Sequence, residues 1–325
     1  MKKLLSVILT LALLLSCTAA LADTYRIAIV QPLTHTSLDQ IRETIVKELN
    51  ASGDKDIEIL TANANGDGSA LYNIISKYQA ESVDMIIAIA TSTAQTAKSV
   101  YIGTDTPVIF SAVSDPNAAG MVGDDCANIT GVSNNIPAAE IVKLIFNFQP
   151  DCKKIGFVYT SSEANSVSTI RAAKAYCEAE NIAYEEVSIS NLSELQTAVE
   201  TLITKGVDAL YTGNDNSIAS AMATYTDVAY TAGIPVYCGA DSMVADGGFA
   251  TIGVNYVQLG EQTAAMALRI KNGAAIADNP YETLTNYAKF VNMQAVDRFG
   301  GSFAESAYEG YTVLVEADGT NHFGE

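Results

Sequence analysis

The chain has no tryptophan, and its 325 residues include only two histidines, His35 and His322. A catalytic or metal site built on imidazole therefore has little to draw on. The five cysteines include no Cys-x-x-Cys pair, which argues against a structural zinc site. Positive charge is also scarce: 18 Lys and Arg stand against 37 Asp and Glu, a formal net charge of -19. Nucleic acid needs basic patches set against its phosphates, so no nucleic-acid partner is expected. Gly-x-Ser-x-Gly is missing, and with it the usual nucleophile elbow. The glycine-rich dinucleotide fingerprint and the Walker lysine loop are missing too, so no cofactor is expected. Beyond the first 22 residues, no apolar run approaches the roughly 20 residues that span a bilayer.

The chain begins MKKLLSVILTLALLLSCTAALA. A charged start, a short apolar middle and small residues at the end read as a secretory signal over residues 1–22. Ala20-Leu21-Ala22 fits ordinary cleavage before Asp23, whereas Leu14-Leu15-Ser16-Cys17 resembles a lipobox that would leave Cys17 to carry lipid. Either route places the mature chain outside the cytoplasmic membrane, periplasmic or on the cell surface, away from ATP, NADH and the chromosome. Loss of Lys2 and Lys3 takes the formal charge from -19 to -21, which favours solubility. Cys126, Cys152, Cys177 and Cys238 allow three complete pairings. Cys152 precedes a strand and Cys177 lies late in the next helix, ends that a βα unit brings together, so they form the favoured pair. Buried free thiols are expected at least as much as any pairing.

Strand and helix patterns alternate nearly throughout. Apolar runs at 25–30, 57–60, 85–90, 108–113 and 129–132 form one set of strands. Runs at 155–159, 183–189, 209–211, 236–238 and 249–254 form a second. Several are apolar on both faces, as strands of a covered parallel sheet should be. Helical stripes lie between them, such as Leu38, Ile41, Ile45 and Leu49. Ser37 with Gln40, and Ser193 with Gln196, read as capping boxes. The pattern predicts doubly wound α/β layers, occurring twice with a break near residues 134–137. About 300 mature residues suit two such lobes. A helix is expected over 256–271, a short strand and a final helix over 290–315, and a loose polar tail over 316–325.

In open parallel sheets, ligands bind beyond the carboxyl ends of the strands. Those ends are rich here in small polar residues. One strand runs into Thr91, Ser92 and Thr93, which open a helix; its free N–H groups and hydroxyls suit a carboxylate, or they serve as plain caps. Another runs into Ser114 and Asp115, where the acid could hold an ammonium or simply make an Asp-Pro turn. In the second lobe, strand ends lead to Ser161 and Ser162, to Asn214 and Asp215, and to Asp241. Each is weak alone; together they place one polar rim on both lobes. Tyr159, Tyr211 and Tyr237 lie near the same ends and can pack a flat ligand or the core. His35, at the first-strand exit, has no evident nucleophile partner and suits a turn equally well.

At these residues the chain resembles the extracytoplasmic solute-binding proteins of ABC importers, in the group that includes tryptophan- and tyrosine-linked binding proteins. The resemblance covers residues 25–315. Its motifs are QPLTHTSLD at 31–39, IATSTAQTA at 89–97, TPVIFSAVSDPNAAGMV at 106–122 and NITGVS at 128–133, followed by GIPVYCGAD at 233–241 and GVNYVQLG at 253–260. It implies a type I periplasmic-binding-protein fold, two Rossmann-like lobes joined by a three-strand hinge, with the ligand buried between them on closure. The lobes would then comprise 23–135 with 256–288, and 136–255 with 289–315. Thr91, Ser92 and Thr93 match the position that takes a ligand carboxylate, Ser114 and Asp115 match the facing loop, and Asp241 matches a cleft-facing acid suited to an α-ammonium. Asn214 and Asp215 fall in a less defined motif.

The sequence is therefore expected to encode a monomeric, non-enzymatic binding protein without metal or cofactor. It would capture a small polar solute, with an aromatic amino acid as first choice, and deliver it to a membrane ABC permease. A sensor that passes its ligand-bound state to a membrane receptor, or an exported α/β enzyme, would share the fold.

Overall fold

The computed structural model describes residues 24–300 and 303–323. The expected leader and Cys17 lie outside them. Ile27, Ala28, Ile29 and Val30 of β1 (Tyr25–Gln31) are all fully buried. All five residues of β3 (Met85–Ile89) are buried too. Strands apolar on both faces demand cover on both sides, and the intervening helices provide it.

The first sheet builds in chain order from β1, α1 (Thr36–Ala51), β2 (Ile57–Asn63), α2 (Gly68–Ala80), β3, α3 (Thr91–Tyr101), β4 (Val108–Ser111) and β5 (Ile129–Ser133). The chain then crosses to α4 (Ala138–Phe148), β6 (Lys154–Thr160), α5 (Ala164–Ala179), β7 (Ala183–Ile189), α6 (Leu195–Thr204) and β8 (Ala209–Thr212). There follow α7 (Asn216–Ala219), α8 (Met222–Thr231), β9 (Val236–Cys238), α9 (Asp241–Ala245) and β10 (Ala250–Gly253). Next come α10 (Tyr256–Lys271), β11 (Glu282–Thr283), β12 (Ala288–Asn292), α11 (Met293–Arg298) and β13 (Thr312–Val315).

The six-stranded sheet has the order β11-β5-β4-β3-β1-β2, and the seven-stranded sheet β13-β12-β10-β9-β8-β6-β7. Every strand pair is parallel except β10 with β12. This is the doubly wound α/β fold expected, built twice. Each half reverses its strand order next to its first strand, between β1 and β3 and between β6 and β8. Such reversals open the crevice in which α/β proteins hold ligands. Three connections pass between the sheets, before α4, before α10 and before β12. Two are tied together: Tyr287 Oη donates to Asn135 O at 3.0 Å, and Leu284 N to Ser133 O at 3.1 Å.

After the second sheet, α10 returns to pack on α1, β4 and β5. The helices meet closely at Gly260, where an added Cβ would lie 2.7 Å from Thr44 Cβ and 3.1 Å from Ile41 O. A larger residue gains up to about 1 kcal/mol of helix propensity. Overpacking costs more, so Gly260→Leu should lose about 1–3 kcal/mol of stability in a urea titration. An unchanged midpoint would show that the two helices can part without cost.

Several local expectations are corrected. Ser37 does not cap α1: the N-cap is His35, without a side-chain bond, and the Ser37 hydroxyl points across to Ser242. Ser193 does not cap α6 either; Asn191 accepts from Ser193 N, and Glu194 accepts from Ser190 N. The favoured Cys152–Cys177 disulfide is absent, and all four described cysteines are free thiols. The chain past α11 forms a further strand, β13. Residues 316–323 fold back on it, with His322 N donating to Leu314 O at 2.8 Å and Asn321 Nδ2 to Ala245 O at 3.2 Å. Phe299 and Phe303 clamp this end of the chain edge-on and tilted against Phe249.

Candidate functional site

The carboxyl ends of the two sheets face each other across two neighbouring cavities that share Ser114 and Asn214. The first spans about 360 Å³ including its open mouth, of which about 20 Å³ is open to the centre of a water molecule. Its apolar wall is Leu38, Ala112, Ala219, Ala240, Met243 and Tyr256. The second, of about 540 Å³, is lined by Asp115, Ser168, Thr169, Tyr211 and Gly239 among others. Neither wall contains lysine or arginine. A ligand anion must therefore be met by N–H groups and hydroxyls.

Hydrogen bonds join the lobes around these cavities. At the start of α1, His35 Nε2 lies 3.1 Å from Asn216 Oδ1, and Thr36 Oγ1 donates to Asp246 Oδ2 at 2.9 Å. On the other side, Ser168 Oγ donates to Asp115 Oδ2 at 2.9 Å. Ser114 Oγ donates to Asn134 Oδ1 at 3.1 Å, and Asn134 Nδ2 donates to Tyr256 Oη at 3.3 Å.

Two carboxylates organise the second lobe's wall. Glu163 Oε1 accepts from Ser217 N and Oγ at 2.8 and 2.6 Å; its Oε2 accepts from Asn216 N and Nδ2 at 2.9 and 2.7 Å. Asp215, fully buried, accepts from Thr160 N, Thr160 Oγ1, Ser166 Oγ and Ile218 N at 2.6–2.9 Å. Burial, and then the nearby Glu163, push its carboxyl above the ordinary range despite these donors.

In the first lobe, backbone strain marks the same rim. Ala90 (φ 73) ends β3 and Ala112 (φ 60) ends β4, both in the left-handed region that a non-glycine residue seldom adopts. Ala90 is the N-cap of α3 and has no side chain to satisfy the helix start. The hydroxyls of Thr91 and Thr93 are buried there without partners.

Residues 26–311 match the family described as ABC transporter substrate binding protein. The chain belongs to that family. A tyrosine-binding protein of Clostridioides difficile is 33% identical over 273 residues, covering 82% of this chain and 78% of that protein. A solved Streptococcus pneumonia ABC domain in complex with L-Trp is 31% identical; the match covers 89% of this chain and 99% of that one, with a TM-score of 0.83. A ligand-free, open substrate-binding protein with adhesive properties from Clostridium difficile is also 31% identical, covering 90% and 99%, but its TM-score is 0.68. At equal identity, this substrate-binding protein superposes better on the ligand-bound structure than on the open one. The bonds across the cleft agree with that.

The expected site residues fall into four groups in this solute-binding protein. Ser114, Asp115, Asn214 and Asp215 line the cavities. Thr91, Ser92 and Thr93 line neither; they stand one strand over from Ser114, at the end of β3. Ser161 and Ser162 are exposed and line neither, and the Ser161 hydroxyl is engaged by Ile189 O at 3.0 Å. Asp241 also lines neither. It is buried behind Ala240, accepts from Ser242 N at 2.8 Å, and burial pushes its carboxyl up to about 7. Tyr211 reaches the second cavity, whereas Tyr237 belongs to the aromatic core against Phe249.

Sequence reasoning missed Glu163, Asn216, Ser168, Asn134 and Tyr256. Glu163 and Asn216 sit inside the polar loops it singled out, but nothing in the spelling says which carboxylate faces which amide. Gly239 is explained only in three dimensions: an added Cβ would lie 2.6 Å from Asn214 N, so glycine there keeps Asn214 at the cleft. Among the described residues, no group of three or more His, Cys, Asp or Glu side chains is placed to hold a metal ion, and no helix is long and apolar enough to cross a membrane.

Proposed function

We propose that this protein captures an amino acid with an aromatic side chain between its lobes and delivers it to a membrane ABC permease. The observation that carries this reading is the cleft walled by both sheets, apolar over much of its surface and bordered by hydrogen bonds between the lobes. The tyrosine-binding and L-Trp-bound relatives point to the same ligand class. In this reading, the protein acts as a monomer outside the cytoplasmic membrane, with Cys17 as a lipid anchor if the lipobox is used. It releases its ligand chemically unchanged. The ligand favours the closed form to the extent that it binds that form better than the open one.

We assign the ligand carboxylate to the side of the cleft nearest the start of α3, whose Thr91 and Thr93 hydroxyls are buried without partners one strand over from the cavity-lining Ser114. The ammonium is assigned to Asp115, which lines the cleft, rather than to Asp241, which does not.

Thermal-shift screening against amino acids, purines and sugars tests the ligand class. At a hundred times the dissociation constant, a true ligand adds about 2.7 kcal/mol of stability by mass action. Aromatic amino acids should raise the melting temperature; a strong shift from sugars or purines, with none from amino acids, would overturn the choice. Asp115→Asn should weaken an amino acid by about tenfold or more, the size of one charge-assisted hydrogen bond, while its des-amino analogue changes little. Equal losses for both would remove the ammonium contact.

A further inference from the structure

His35 stands half-buried at the start of α1, where the two lobes meet. Asn216 of the second lobe fixes how its ring is held. The Asn216 Nδ2 donates to Glu163 Oε2 at 2.7 Å, so its Oδ1 is turned toward the first lobe, 3.1 Å from His35 Nε2. An amide oxygen only accepts, so Nε2 carries a hydrogen. The other ring nitrogen, Nδ1, is sealed from solvent and has no partner. In the neutral ring it is a bare acceptor. In the charged ring it would be an ionised N–H with nothing to accept from it, which costs more.

Three carboxylates surround the ring, and each is already committed. Glu163, across the cleft, accepts from the N–H groups and side chains of Asn216 and Ser217. Asp246, also across the cleft, accepts from Thr36 Oγ1 at 2.9 Å. Asp39, on α1 itself, pairs with Arg42 at 2.8 Å. Their charges draw a proton toward the ring, but none of them is an acceptor for Nδ1. Desolvation outweighs their attraction and lowers the His35 pKa. Parting the lobes takes Asn216, Glu163 and Asp246 away together and lets water reach both nitrogens. The ring then returns to the ordinary histidine range, about 6.5. A group whose pKa is depressed in the closed form leaves closure at full strength above the open-form value and weakens it as pH falls below.

We propose that closing the cleft releases a proton from His35 to solvent, so that mild acid opens the lobes and loosens the ligand. This coupling goes beyond the amino-acid reading, because it needs closure and no particular ligand.

Calorimetric titration with L-tyrosine and L-tryptophan from about pH 7.5 to about pH 5.5 tests it, in the full wild-type chain and in His35→Gln, whose amide can donate to Asn216 but does not titrate. One proton limits the slope to tenfold per pH unit, so wild-type affinity relative to His35→Gln should fall roughly three- to tenfold over that range. Asp241 and Asp246, which burial shifts upward, favour closure in acid, but both chains carry them and they cancel in the ratio. A ratio that stays flat or rises in acid would overturn the proposal.

A second readout needs no ligand. The Ser37 and Ser242 hydroxyls meet across the cleft, so Ser37→Cys with Ser242→Cys sets two thiols where oxidation fastens the closed form. Histidine ¹⁵N resonances then follow the titration of His35 in the fastened and the reduced chain, with His322 as the internal reference. His35 should take up its proton at lower pH when the chain is fastened; an equal or higher midpoint would overturn the coupling. If neither amino acid binds, the amino-acid reading falls, and the fastened chain still decides whether His35 opposes closure in acid.

Discussion

Asp215→Ala should cost the protein about 3–4 kcal/mol of stability, with or without ligand, and a urea denaturation curve with unchanged slope would record it. The carboxylate is wholly inside and accepts four hydrogen bonds, from the end of β6, from α5 and from the first turn of α7. Alanine leaves two backbone amides and two hydroxyls without that acceptor. The neighbouring strand ends, which shape one wall of the cleft, would lose their common tie. Asp215→Asn should fall in between, because one of its two terminal atoms can still accept. A loss below about 1 kcal/mol for the alanine variant would mean that water or a neighbour replaces the carboxylate easily. The same arithmetic explains why Asp215, although it lines the cavity, is poorly placed to serve a ligand ammonium: its lone pairs are already committed.

The second large effect is a dependence of stability on pH that runs opposite to ordinary acid denaturation. Burial raises the Asp241 carboxyl from 3.8 to about 7, and Asp215 shifts in the same direction. Between those two values the folded chain holds a proton at Asp241 that the unfolded chain has released. Stability therefore falls as pH rises through that window. A shift of this size corresponds to on the order of 4 kcal/mol, most of it lost between about pH 4 and pH 7. Asp241→Asn stays neutral throughout. It should flatten the profile and be more stable than the wild type at pH 8, while matching it near pH 4. Melting curves of both proteins across this range, without ligand, check the effect. A wild type that is steadily more stable at pH 8 than at pH 5, with Asp241→Asn running parallel to it, would show that Asp241 is charged and well solvated in the folded state. Surface carboxylates paired with lysine, such as Glu185 with Lys205, pull the other way but are screened and contribute little.

The motifs pointed to the rim that borders the cavities because the rim is local. A small polar residue at the end of an apolar run is a strand exit wherever it occurs, and Ser114, Asp115, Asn214 and Asp215 were found in that way. The partners across the cleft were not readable. His35 meets Asn216 181 positions further along, and Ser37 meets Ser242 across 205. Ser37 illustrates the limit well. Its spacing to Gln40 is that of a helix cap, yet it is buried and turned toward the other lobe. The choice between a Cys152–Cys177 bond and free thiols was likewise open in the sequence: a βα unit brings such ends near each other, but nearness does not make a bond, and both thiols are free.

The order of apolar runs and helical stripes determined the doubly wound layers and their duplication, because burial on both faces of a strand and one face of a helix is written residue by residue. The scarcity of imidazole and basic charge and the lack of nucleotide-loop motifs in the sequence turned the reading toward binding and away from metal, nucleotide and nucleic-acid chemistry. Tertiary structure decided which polar groups remain free. Asp215 is consumed by its own fold, Asp241 lines neither cavity, and His35 Nδ1 is buried without a partner, because hydrogen-bond satisfaction depends on which distant segments meet and not on the residues that flank each group.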